Sequence, residues 1–214
     1  MWLNALLDST WRETRWPRAT TRLFQGNSTW DVLEAESFAR LVPRVPHVKV
    51  EAAFRALADA GGWVVLAGAE AGTGKTALAY LLGLRELCQH ALRMAAESWE
   101  WRGECWDTMP EHRYIEWPRA LNQEKSRFRT RIEGSFIRPL EKAELLIIDD
   151  IAPAKGWELQ ELELVMSRRY AEHLRTILVV KADGAEVESA LGTDTYSRLT
   201  ERGLVVTCEW MPYR

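Results

Sequence analysis

The stretch Trp63 to Leu78 constrains this chain most: an apolar run, Trp63-Val64-Val65-Leu66, is followed by Ala69-Glu70-Ala71-Gly72-Thr73-Gly74-Lys75-Thr76 and then by an apolar helical pattern. A buried strand that turns through glycines into a helix N-terminus leaves backbone N–H groups without internal acceptors, aimed at one point. Polyphosphate suits such a nest. Gly72 and Gly74 let the backbone curl closely around oxygen atoms, Lys75 supplies a point charge, and the Thr76 hydroxyl is a ligand for magnesium. The pattern G-x-x-x-x-G-K-[ST] is met except at its first position, where Ala69 stands.

A second stretch complements it. Leu145-Leu146-Ile147-Ile148 runs into Asp149-Asp150, and a continuous apolar run marks a strand buried on both faces, whose carboxyl end opens at the ligand crevice of a parallel sheet. There Asp149 is placed to hold magnesium through water, and Asp150 to orient or deprotonate an attacking water.

Around these anchors strands alternate with helices. Arg113–Trp117, Thr176–Val180 and Leu204–Cys208 read as further strands. Helical patterns carry Phe54, Leu57 and Ala58, then Leu78 to Leu87, then Trp157 to Leu174, then Val187, Ala190 and Leu191. The expected architecture is α/β: a five-stranded parallel sheet between helices. Residues 97–112 are expected to form a loop or small hairpin, and another helical pattern lies around Val32–Leu41. Residues 31–214 are assigned to one domain. Residues 1–30 mix Trp2, Trp11 and Trp16 with Arg12, Arg15, Arg18 and Arg22 and include a short amphipathic stretch; too short to fold alone, they are assigned as a partner-docking extension.

With 214 residues the chain can bury a full core, and its net charge of −3 leaves any attraction to nucleic acid to local patches. The stretch 119–138 is one such patch. Lys125, Arg127, Arg129 and Arg131 fit either a solvated helix face or a nucleic-acid backbone surface. No apolar run reaches membrane-spanning length and the start lacks a signal-peptide pattern, so a cytoplasmic protein with no membrane partner is expected. Three cysteines form no C-x-x-C pair, and Cys88, His90, Cys105 and His112 match no familiar zinc spacing. The eleven tryptophans fit plain packing as well as stacking on bases or a partner.

With both phosphate elements placed, the order of parts resembles the additional-strand P-loop ATPases, and within them the AAA+ proteins of the DnaC/IstB type, bacterial helicase loaders and transposition ATPases. The resemblance covers roughly residues 60–214. It is carried also by Ser167-Arg168-Arg169-Tyr170 with Thr176-Ile177-Leu178, by Leu191-Gly192 with Ser197-Arg198-Leu199, and by the final Tyr213-Arg214. It implies ATP with Mg2+, held by Gly72, Thr73, Gly74, Lys75, Thr76 and Ala77, with metal at Thr76 and Asp149. It also implies a site completed between subunits of a ring or open helical oligomer, where Arg198 of one protomer joins Lys75 and Asp150 of the next in catalysis. No helical lid is expected after the fifth strand.

The implied function is loading of a replicative DnaB-type helicase onto single-stranded DNA. Alternatives are a transposition ATPase that serves a transposase on duplex DNA, and a nucleotide-dependent adaptor with little hydrolysis. A P-loop nucleotide kinase fits less well, because no arginine-bearing lid is evident. The sequence departs from the family at Lys181, where a small polar sensor residue is usual, at Asp150 in place of glutamate, and at Ala69. These departures point to slow hydrolysis.

Overall fold

The structure, a computed structural model, describes residues 46–59, 61–83, 85–86, 112–130 and 134–210. The docking extension 1–30, the helical pattern at Val32–Leu41, the connection 97–112 except its last residue, three of the four zinc candidates, Arg131 and the terminal Tyr213-Arg214 lie outside the described residues.

Five strands form one parallel sheet: β1 (Trp63–Ala67), β2 (His112–Glu116), β3 (Leu145–Ile151), β4 (Arg175–Val180) and β5 (Gly203–Thr207). Their spatial order is β2-β3-β4-β1-β5. Strand β4 therefore lies between β1 and β3, parallel to both, in continuous register with β1 and with a register shift between Ile148 and Ile151 on the β3 side. This interposed strand is the additional strand that the sequence resemblance implies.

The alternation of side chains across the pleat gives the sheet two cores. On one face Val64, Leu66, Ile147, Ile177 and Val179 pack with α1 (His47–Ala58) and with the helix after the phosphate loop, α2 (residues 75–83). Helix α1 turns Val50, Ala53, Phe54 and Leu57 inward, the spacing of a single helical face. On the other face Trp63, Val65, Ala67, Leu146, Ile148, Leu178 and Val180 meet α3 (Trp117–Thr130), a 3-10 turn at Arg138–Lys142, α4 (Trp157–Ala171), α5 (Val187–Leu191) and α6 (Thr193–Arg202). All five residues of β1 are fully buried, which is why it reads as an unbroken apolar run.

Element ends shift by a few residues from the sequence expectation. Strand β2 begins at His112, and Trp117 instead opens α3, buried beneath it. Helix α4 stops at Ala171, short of Leu174, because the chain turns through a left-handed His173 (φ 54) while the Leu174 N–H bonds to the Arg169 carbonyl at 2.9 Å. That arrangement satisfies carbonyls which the helix end would otherwise leave open.

Candidate phosphate and metal site

The loop between β1 and α2 curls through Gly72 (φ 78) and Gly74 (φ 83), both in the left-handed region that favours glycine. Helix α2 closes its first bond from the Leu78 N–H to the Gly74 carbonyl at 2.9 Å. The N–H groups of residues 74–77 thus lack intrahelical acceptors and form the positive end of the helix. Lys75, 7% exposed, folds its ammonium back over the loop and donates to the Glu70 carbonyl at 2.6 Å and the Thr73 hydroxyl at 3.2 Å. Burial pulls its pKa down, and the nearby Asp149 and Asp150 oppose that pull.

Asp149 stands in the last part of β3, 4% exposed. Its Oδ1 accepts the Asp150 N–H at 2.7 Å, and its Oδ2 accepts the Tyr114 hydroxyl at 2.9 Å. The Thr76 hydroxyl, at the start of α2, lies close enough to this carboxylate to favour its charged form. Burial raises the Asp149 pKa, and these three donors hold it back. Asp150 adopts a left-handed backbone (φ 64), unusual for a residue with a side chain, and its Oδ1 lies 2.6 Å from Lys181 Nζ.

The structure therefore brings Gly72 to Ala77, Asp149 and Asp150 to one end of the sheet, with Lys181 at the end of β4 added to the group. A hydroxyl and a carboxylate close together are hard oxygen donors of the kind magnesium takes. The amide nest and buried ammonium beside them suit phosphate oxygens. The donor set fits a magnesium–polyphosphate. Among the described residues no cluster of three or more His, Cys, Asp or Glu offers another metal site.

No protein-family model matches the chain, and no curated protein matches it. Solved structures do. The DnaC helicase loader superposes with a TM-score of 0.53 at 15% identity, covering 75% of this chain and 86% of that one. DnaI gives 0.52 at 13% identity over 92% and 93% of the two chains. Domain III of the replication initiation protein DnaA from Thermotoga maritima gives 0.55 at 18% identity over 75% and 60%. This is a DnaC-type AAA+ fold.

Within this fold Arg198, on α6, is not part of the phosphate site of the same chain. Its guanidinium lies 5.5 Å from the Tyr170 ring, which meets Trp63, the first residue of β1, edge-on at 6.0 Å. That is the opposite end of the sheet, about one strand length or ~15 Å from the loop. Its Nη1 is buried without a hydrogen-bond partner among the described residues, and Glu201, the nearest candidate on the sequence, is engaged by the Tyr170 hydroxyl instead. The basic residues fall on α3 as the pattern implies. Arg129 is exposed, Arg127 is half-buried, and Lys125 is tied to Glu158 at 2.7 Å and stacked over Trp157. Between the arginines Phe128 stands 70% exposed.

Two further contributors to the site, Tyr114 and Trp210, lie outside the sequence motifs, and Lys181 makes a contact that its position does not reveal. Tyr114 had a signal, since β2 pairs Tyr114 with Ile147, so a long side chain there shares a face with Asp149 two residues on. Lys181 stands out in the sequence by its position, while its ion pair with Asp150 depends on the fold. Trp210, whose indole N–H donates to the Thr73 carbonyl at 2.5 Å, carried no signal at all, because nothing local links it to the loop.

No helix among the described residues is long and apolar enough to cross a membrane.

Proposed function

We propose that the protein is an oligomerising AAA+ ATPase that delivers a DnaB-type replicative helicase onto single-stranded DNA. The observation that carries this reading is the meeting of Lys75 and Thr76 with Asp149 and Asp150 at the carboxyl ends of a sheet ordered β2-β3-β4-β1-β5. Similarity of fold to the DnaC helicase loader and to DnaI supports the choice of replication over other ATPase roles.

In this reading the amides of residues 72–77 and the Lys75 ammonium hold phosphate oxygens, and Thr76 with Asp149 holds magnesium. When bound, magnesium–ATP supplies the anhydride whose cleavage resets the assembly. Asp150 takes or orients the proton of the attacking water. Lys181 occupies that carboxylate in the subunit alone, so turnover is slow and nucleotide acts chiefly as an assembly switch. Arg198, remote from its own loop, serves the loop of a neighbour. The basic residues of α3, Lys125, Arg127 and Arg129, continued in sequence by Arg131, contact the DNA backbone, and residues 1–30 contact the helicase.

The test is the mass of the intact chain by light scattering, with and without magnesium–ATP, with single-stranded or duplex DNA. The expected outcome is a nucleotide-dependent oligomer that single strands promote, which Lys75→Ala fails to form. Filaments on duplex would select the transposition reading. Nucleotide-dependent assembly without measurable turnover would select an adaptor, which the Asp150–Lys181 pair also favours. A parent protein that does not bind ATP removes all of them.

A further inference from the structure

Four side chains from three elements form one connected group beneath the phosphate loop. Thr76 and Tyr80 are four residues apart on α2, hence on one face of that helix. Asp149 and Tyr114 come from neighbouring strands β3 and β2. Thr76 lies beside the Asp149 carboxylate, the Tyr114 hydroxyl donates to its Oδ2 at 2.9 Å, and Tyr80 hydrogen-bonds Tyr114 while their rings stack at 4.8 Å, tilted by 40°. Tyr80 is 2% exposed and Tyr114 half-buried, so water competes little for these bonds.

A carboxylate that is to meet magnesium must present an oxygen in one direction, because that ion tolerates little departure from octahedral geometry. Asp149 is a short side chain in a buried strand, yet rotation about its Cβ–Cγ bond remains open unless both oxygens are held. The Asp150 N–H holds Oδ1 and Tyr114 holds Oδ2. Tyr80 in turn fixes the Tyr114 ring from the helix that begins at the phosphate loop.

We propose that Tyr114, backed by Tyr80, is the positioning residue that sets the Asp149 carboxylate for a divalent cation, so that the affinity of the site for magnesium is built on β2 and α2 as well as on the two phosphate motifs. This rests on the magnesium–nucleotide reading of the site. It makes Tyr114 matter for the metal and not for the nucleotide, because its hydroxyl bonds the Asp149 carboxylate.

The test is ATP affinity of the intact chain as Mg2+ is titrated from an EDTA baseline, in the parent, Tyr114→Phe and Tyr80→Phe. Tyr114→Phe keeps the ring and its stacking and removes one oxygen. Loss of a partner that orients a metal ligand costs roughly 10- to 100-fold in metal affinity. The expected result is therefore that Tyr114→Phe binds ATP in EDTA as the parent does and needs at least about tenfold more Mg2+ for half-maximal tightening, with Tyr80→Phe shifted in the same direction by less. An unchanged Mg2+ midpoint in Tyr114→Phe overturns the proposal. So does an equal loss of ATP affinity in EDTA and in Mg2+, which would mean that the loop itself was damaged. A parent that binds ATP with no response to Mg2+, or binds none, instead removes the site reading beneath it.

Discussion

Asp150 carries two unusual features at once, a left-handed backbone at φ 64 and an ion pair with Lys181 whose partners remain 42% and 49% exposed. Asparagine and aspartate tolerate that backbone better than other residues with side chains. Asp150→Asn therefore keeps the turn and removes only the charge. The pair it breaks is open to solvent and contributes about 0–1 kcal/mol. We expect Asp150→Asn to melt within about 4 °C of the parent and to bind ATP unchanged, while turnover falls by about 100-fold or more. Calorimetry with a phosphate-release assay checks both. A large fall in melting temperature would show that the Lys181 pair is a structural pin, and retained turnover would remove Asp150 from the chemistry.

Helix α4 is joined to the sheet by a side chain that a helix of its kind rarely turns inward. Leu162, Val165 and Met166 pack into the core, and the next inward position is Arg169, fully buried with no carboxylate paired to it among the described residues. It donates to the Thr176 hydroxyl at 2.9 Å, to the Leu140 and Ala143 carbonyls at 2.9 and 2.7 Å, and to the Arg175 carbonyl at 2.5 Å. One guanidinium thereby ties the end of α4, the 3-10 turn and the start of β4 together, and desolvation pulls its pKa downward. Arg169→Met fills similar volume but strands these acceptors, so it should cost at least about 3 kcal/mol. The expected readout is a lower urea midpoint at an unchanged m-value; a midpoint within error of the parent would refute the tie. Arg169 also shows what the sequence revealed. Its place on the inward face is legible from helical spacing, as β1, β3 and β4 are from their apolar runs and the phosphate loop from its glycines. What it touches is not. Its four acceptors, the reach of Tyr114 to Asp149 and that of Trp210 to Thr73 depend on which strands lie side by side, and periodicity fixes faces without fixing neighbours.

At the scale of the whole molecule, the two halves of the proposed chemistry lie at opposite ends of the sheet. Asp149 and Asp150 stand at the carboxyl ends of the strands, whereas Arg198 packs on Tyr170 beside the first residue of β1. Within one chain they stand apart, whereas the proposed head-to-tail contact between copies would bring them together, and such heterologous contacts generate rings or open helices. Mixing two defective proteins tests this directly. Arg198→Ala keeps a complete phosphate site and lacks the guanidinium, while Asp150→Asn keeps the guanidinium and lacks the carboxylate. If Arg198 acts on a neighbour, each alone is inactive and an equal mixture regains activity, since one interface type pairs an intact loop with an intact arginine. For random assembly in a heterologous oligomer that interface makes up about a quarter of the total, so the mixture should reach about a quarter of the parent rate. Activity of Arg198→Ala alone near the parent level would exclude the arginine from the reaction. A mixture that stays inactive, with oligomers of unchanged mass, would confine each active site to its own subunit and leave Arg198 as a packing partner of Tyr170.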